Sequence, residues 1–232
     1  MTDTQRSDSL FSSFSCSSED KQFLNHSYNR VLPQFSELES TQIQNEKKIL
    51  DIFRESRLES AHFQWNTGYG YDDIGREKVE EIYAKLFRAQ AALVRPTIAS
   101  GTHALALTLR GLLLPGDEVV SITGTPYDTL LKVLGISGDE PGNLSEFDIG
   151  FRELPLSQQG QIQISKLVDF ISATTKVVMI QRSTGYSVRP AIRMDEMAAA
   201  IAAVKEIRSD LIVMVDNCYS EFVETTEPIE VG

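Results

Sequence analysis

The chain has 232 residues, 41% of them hydrophobic and 24% charged, and its 33 acidic against 22 basic residues give a formal net charge of -11. That balance argues against a nucleic-acid surface, because phosphate binding needs clustered Lys and Arg that the sequence does not contain. Two cysteines without a CxxC spacing, Cys16 and Cys218, argue against a disulfide framework or a zinc ribbon. They favour a reducing cytoplasm.

In chain order, residues 1–18 are rich in Ser, Thr and Asp and are expected to be a disordered tail. They lack a basic stretch followed by an apolar run, so they do not read as a secretory signal. No apolar run approaches the ~20 residues that span a bilayer, and no membrane contact is expected. Residues 19–60 are read as a helical arm. Phe35, Leu38, Ile43, Ile49, Leu50 and Phe53 recur there at roughly helical spacing, and Pro33 is expected to open the longer helix. The stretch "WNTGYGYDDIG", 65 to 75, interrupts the period and predicts a loop, followed by a helix over "REKVEEIYAKLF".

Beyond it, strand-like and helix-like runs alternate. "AALVRP" predicts a strand, "GTHALALTLRGLL" a helix, "DEVVSI" a strand and "YDTLLKVLG" a helix. "FRELPL" predicts a strand, "ISKLVDFIS" a helix, "KVVMIQ" a strand, "MDEMAAAIAAVKEIR" a helix and "DLIVMVD" a final strand. This alternation predicts an α/β domain over 61–232, with a mostly parallel sheet and helices on both faces. Ligands of such sheets bind outside the carboxyl ends of the strands.

Several candidates fall at those ends. Asp216 closes the apolar run Leu211 to Val215; its bland alternative is a helix cap or an Asx turn. Ser100, Gly101 and Thr102 open an apolar helix, where free N–H groups and the helix dipole suit an anion; the alternative is an ordinary N-cap. Tyr127 opens another helix, either as a plate for a flat ring or as a packed aromatic. Arg182, Ser183, Tyr186 and Arg189 crowd one loop as a possible binding rim. GxxxxGK[ST] and GxGxxG are absent, which weakens an ATP or NAD reading. His26, His62 and His103 lack paired metal spacing, and no serine sits in GxSxG. An anion site, an aromatic plate and a carboxylate on one sheet edge suit a flat, phosphorylated, nitrogen-containing cofactor. Pyridoxal 5'-phosphate has those parts, and a carboxylate beside its ring nitrogen keeps that nitrogen protonated.

The runs "TGYGYDDIGREKVEEIYAKLF", "ALVRPTIASGTHALALTLRGLLLPGDEVV", "TGTPYDTLLKVLG", "IQRSTGYSVRP" and "VDNCYSEF" resemble the aluminium-resistance protein family. These are methionine gamma-lyase-like proteins of the fold-type-I pyridoxal-phosphate class. The resemblance covers residues 20 to 232 and implies a transferase-like large domain cut before its C-terminal small domain. It implies that Ser100, Gly101 and Thr102 bind the phosphate, that Tyr127 stacks on the ring, and that Asp216 meets the pyridine nitrogen. It further implies that Tyr69 or Tyr71, with Arg76, reaches the phosphate of a neighbouring subunit, in a homo-oligomer (dimer or tetramer). Thr184 and Val188 depart from the Arg and Trp expected in "RSxGYxxRP".

The class also needs a lysine, usually a few tens of residues after the aspartate. The last lysine here is Lys205, before Asp216. The expectation is therefore an N-terminal fragment of an amino-acid lyase, carbon-sulfur cleaving when full length and without turnover as given. The alternatives are a truncated, non-catalytic paralogue that binds a phosphorylated ligand or a partner subunit, and an unrelated nucleotide-binding domain.

Overall fold

A computed structural model describes residues 11–65, 73–139 and 141–232. Its helices are α1 (Ser18–Glu55), α2 (Ile74–Leu86), α3 (Gly101–Leu112), α4 (Asp128–Leu134), α5 (Leu167–Phe170) and α6 (Met194–Ile207). Its strands are β1 (Glu118–Ser121), β2 (Gly150–Glu153), β3 (Thr175–Gln181) and β4 (Ile212–Asp216). Among the described residues no helix is long and apolar enough to cross a membrane.

The described residues fall into two compact units, one up to Leu50 and one from Asp51 onward. In the first, α1 runs through Pro33 without a break. The sequence expectation that Pro33 starts a helix is corrected here. Proline removes one N–H and leaves the carbonyl of Asn29 without its helical donor, but both residues are exposed, where water supplies the missing bond. The Phe11 ring lies 6.1 Å from that of Tyr28, which in turn lies 5.9 Å from that of Phe35.

In the second unit, a period of two along the strands builds the architecture. All four strands are parallel, in the order β2-β1-β3-β4. Val119, Val177, Met179 and Met214 face one core with Leu109 of α3 and Leu130 and Leu134 of α4. Their neighbours Val120, Val178 and Ile180 face a second core with α6. On α6 the buried residues Met194, Met197, Ala200, Ile201 and Val204 repeat at three- and four-residue intervals and form a single stripe. Both faces of the sheet are covered, as the near-continuous apolar strands require. β1 leads outward to β2, and the chain then returns past β1 to β3. The strand order therefore reverses between β1 and β3, the usual place for a ligand crevice.

Two predicted elements differ. "AALVRP" forms no strand. Its Val94 N–H goes to Glu80 Oε1 (2.9 Å) and Arg95 pairs with the same carboxylate, so a side chain of α2 takes the place of a neighbouring strand. The helix expected over 164–172 shrinks to a 3-10 turn, Ile164–Lys166, and the single turn of α5.

Met197 is fully buried, whereas Val168 is 62% exposed. Met197→Ala should cost about 2–5 kcal/mol by denaturant unfolding, and Val168→Ala should stay within about 0.5 kcal/mol.

Candidate functional site

Strand alternation also aims the polar residues that end β3 and β4. Gln181 has the parity of Val177 and Met179, and Asp216 that of Ile212 and Met214, so both point to the face that carries α3 and α4. They are paired across the β3–β4 ladder. On that face lies a cavity of about 200 Å³ lined by Ser100, Gly101, Thr102, Tyr127, Ser183 and Asp216, with Thr129, Cys218 and Tyr219 among its other walls. Five of the eight residues that the resemblance assigns to the cofactor thus share one cavity, together with Ser183 of the candidate rim. Arg76 stands in the first turn of α2, is not on that wall, and bonds through its backbone N–H to Asp73 Oδ1 (2.9 Å). Tyr69 and Tyr71 lie outside the described residues.

The mouth of α3 is built by an N-cap. Ser100 Oγ accepts the His103 N–H (3.1 Å), and His103 Nδ1 accepts the Ala99 N–H (3.2 Å). His103 is exposed, so it is a capping residue and not a core histidine. Helix geometry gives the N–H groups of Gly101 and Thr102 no acceptor within α3. A Cβ built on Gly101 would meet nothing within 4 Å, so the glycine leaves room in front of those donors. The ordinary N-cap and the anion mouth are therefore compatible: the serine oxygen serves the third N–H while the first two face the cavity.

Tyr127 is the N-cap residue of α4. Its N–H donates to Gln181 Oε1 (2.7 Å), and its hydroxyl lies 3.1 Å from that of Tyr186. The hydrogen bond to Tyr186 and the charge a second phenolate would carry push the Tyr127 phenol up to about 12.

Asp216 Oδ1 accepts the Cys218 N–H (3.1 Å), so the Asx turn is present. Among the described residues no cation pairs with this carboxylate. Burial pushes its pKa up, the Cys218 N–H partly offsets that, and Glu221 adds to it. A half-buried carboxylate that faces a cavity in this way can accept a positive or N–H-bearing group, which would favour its ionised form.

Arg182 is corrected from its place on a binding rim. Its side chain is 3% exposed and turned inward, with Nε on the Ile192 carbonyl (3.1 Å) and Nη1 on Asn217 Oδ1 (3.0 Å) and the Ser220 carbonyl (3.1 Å). Nη2 pairs with Glu224. This arginine ties the end of β3 to the loop after Asp216. Gln181 was not singled out by sequence; its signal is the one that marks Asp216, a polar residue closing an apolar buried strand.

This parallel sheet, with a cavity at its carboxyl edge, has the large-domain fold of fold-type-I pyridoxal-phosphate enzymes. Residues 20–232 match the methionine gamma-lyase family, and the chain belongs to it. It is 47% identical over 197 residues to an uncharacterized protein, YnbB, of Bacillus subtilis strain 168, which covers 84% of this chain and 47% of that protein. A carbon-sulfur lyase involved in aluminum resistance from Clostridium novyi NT is 36% identical with a TM-score of 0.86, over 94% of this chain and 55% of its own. A Clostridium acetobutylicum protein, provisionally named a cystathionine beta-lyase involved in aluminum resistance, is 35% identical with a TM-score of 0.89, over 98% and 55%. The chain thus spans about half the length of the relatives it matches. Enzymes of this family depend on pyridoxal phosphate in general.

Because the folded chain holds the Asp216 proton more tightly than the unfolded chain does, ionising Asp216 costs stability. Stability should fall as pH rises through the ordinary Asp range toward the raised value. Asp216→Asn keeps an acceptor for Cys218 and removes the charge. Without ligand, the variant should melt above the parent at pH 7, and the gap should close below about pH 4; thermal melts across pH test this.

Proposed function

We propose that this chain is the cofactor-binding part of a pyridoxal-phosphate-dependent carbon-sulfur lyase acting on an amino acid. One observation carries the reading: the α3 mouth, the Tyr127 ring and the unpaired Asp216 carboxylate line a single cavity. The residues fit the group. The Gly101 and Thr102 N–H groups, with the hydroxyls of Ser100 and Thr102, offer donors to a phosphate at the positive end of a 12-residue helix. The open space over Gly101 admits an anion close to the backbone. Tyr127 offers a ring to stack on, and Asp216 offers a carboxylate to a protonated pyridine nitrogen. When bound, the cofactor supplies an electron sink for a carbanion formed next to the amino group of the substrate.

Asp216 would hold a proton on the ring nitrogen, and its present lack of a cation favours that role. Arg182 keeps the Asp216 loop in register by fixing Asn217 and the Ser220 carbonyl. The walls contain no lysine among the described residues. Lys205 instead lies on α6 and donates to the Leu211 carbonyl (2.8 Å). The amine nucleophile of the class is therefore not supplied from this cavity wall, and we assign this chain binding without turnover. Assembly into a homo-oligomer, with Arg76 and a tyrosine of 69 or 71 reaching a neighbouring site, belongs to the same reading. So does a cytoplasmic location.

Calorimetric titration with pyridoxine 5'-phosphate, which has no aldehyde to react with surface lysines, tests the reading. The parent should bind it in preference to ATP or NAD. Gly101 has an ordinary φ and an unobstructed Cβ position, so Gly101→Ala should fold normally. It should weaken binding about tenfold or more, the equivalent of one charge-assisted hydrogen bond of roughly 1.5–3 kcal/mol. Equal binding of all three ligands, or indifference to both Gly101→Ala and Asp216→Ala, would defeat it. With pyridoxal phosphate and an amino acid added, no steady product release is expected, and a continuous assay for released thiol and keto acid checks this.

A further inference from the structure

Tyr127 is held at both ends, by the last residue of β3 and by the loop that follows it. At its backbone end, the N–H donates to Gln181 Oε1 (2.7 Å). Gln181 is 5% exposed and is itself held, its N–H on Thr123 Oγ1 (2.9 Å) and its Nε2 on the Ser183 carbonyl (3.3 Å). At the other end, the phenol oxygens of Tyr127 and Tyr186 are 3.1 Å apart, with ring centroids 5.5 Å apart and planes inclined by 31°. Between the two grips the loop passes close to the ring. A Cβ on Gly185 would lie 3.8 Å from Tyr127 Cδ2 and 3.4 Å from Gln181 Nε2, and Gly185 adopts φ +57°, which favours glycine. Tyr127 also borders two cavities, the one at the α3 mouth and a second of about 380 Å³ that includes Thr184, Tyr186 and Ala191.

A tyrosine opening a short helix at a surface would ordinarily choose among rotamers, and a stacking ligand would have to immobilise it on binding. Here one hydrogen bond holds the backbone end of the residue and another holds its phenol. We propose that Gln181 and Tyr186 are positioning residues that lock the Tyr127 ring between the two cavities, so that one face is presented to a flat ring seated at the α3 mouth. The proposal rests on the cofactor reading above and adds two residues to it. Gln181 fixes where the ring starts, and Tyr186 fixes its tilt. Neither touches the α3 mouth, so neither contributes to the hold on a phosphate.

That separation gives the test. The parent chain, Gln181→Leu and Tyr186→Phe are each titrated with inorganic phosphate and with pyridoxine 5'-phosphate, and the induced circular dichroism of the bound pyridine ring is recorded. Gln181→Leu should weaken pyridoxine 5'-phosphate roughly 2- to 12-fold, the cost of immobilising one side chain, while phosphate affinity is unchanged. Tyr186 is 84% exposed, so Tyr186→Phe will not compromise folding. It frees the phenol end of the same rotor, so it should weaken pyridoxine 5'-phosphate within the same range, leave phosphate unchanged and shrink the induced signal, because an achiral ring reports only when it is held at a fixed angle. If Gln181→Leu weakens both ligands alike with a lowered melting temperature, and Tyr186→Phe keeps the parent signal, the two residues are merely structural and the proposal falls. If the parent binds phosphate but not pyridoxine 5'-phosphate, the cofactor reading falls and takes the proposal with it.

Discussion

The pairing of Gln181 with Asp216 across β3 and β4 is the constraint on which the site depends. A strand has two faces, and a slip of one residue would exchange them. In the observed register the side chains that alternate with the α6 core, Val177, Met179 and Met214, are the ones packed against α3 and α4. The polar residues that end those rows inherit the same direction. The apolar packing thereby aims Asp216 at the cavity and Gln181 at the backbone of Tyr127 on the same face, at no cost beyond the core itself. The reversal of strand order between β1 and β3 then leaves that edge accessible from the loops after β1, β3 and β4.

Holding a carboxylate at the end of a strand needs more than direction; the loop beyond must also be fixed. Two buried charged groups do this from opposite sides. Arg182 receives the loop through Asn217 and Ser220, and its own N–H donates to the Asp216 carbonyl (3.0 Å). Glu227, 1% exposed, accepts from Asn217 Nδ2 (3.0 Å) and from the Phe222 N–H (2.8 Å). Tyr219 and Phe222 sit at φ +68° and +60°, a conformation that costs side-chain-bearing residues of order 1 kcal/mol or more each. The hydrogen bonds to Arg182 and Glu227 hold the loop there. Asn217 is common to both anchors, so the residue next to Asp216 is held by both.

The elements legible in the sequence are those whose reason is local. β1, β3, β4 and α6 announce themselves by apolar periodicity, and Ser100 by a cap residue ahead of an apolar helix. Asp216 was legible because a charge at the end of a buried run is anomalous. Where tertiary partners decide, local pattern fails. "AALVRP" has the composition of a strand, but Glu80 takes its N–H and its arginine. Arg182 sits among polar loop residues, yet its partners Ile192, Asn217, Ser220 and Glu224 come from 10 to 42 positions away and draw it inward. Pro33 carries a starting signal that a long helix overrides where the lost bond faces water. Gln181 shared the anomaly of Asp216 and was passed over because its work is done on another residue, which no linear pattern reveals.

The two ends of the sheet treat their carboxylates in opposite ways, and the contrast separates architecture from function. At the amino end, Glu118 receives Arg152 through Nε (2.6 Å) and Nη2 (2.8 Å), with Thr175 and Ser172 hydroxyls on the same oxygen. The hydrogen bond from Arg152 holds its carboxyl below the usual range despite burial. That group is satisfied, and it braces β1 against β2 and β3. At the carboxyl end Asp216 is half-buried, yet among the described residues it receives one backbone N–H and no cation, and its pKa moves the other way. A fold that closes one edge this completely does not lack the means to close the other. Burying Asp216 with so little compensation lowers stability, and under the proposed function a ligand with its own N–H or positive charge would recover that loss on binding. The difference in pairing, more than the presence of an acidic residue, is what supports the proposal of a ligand site at the carboxyl edge.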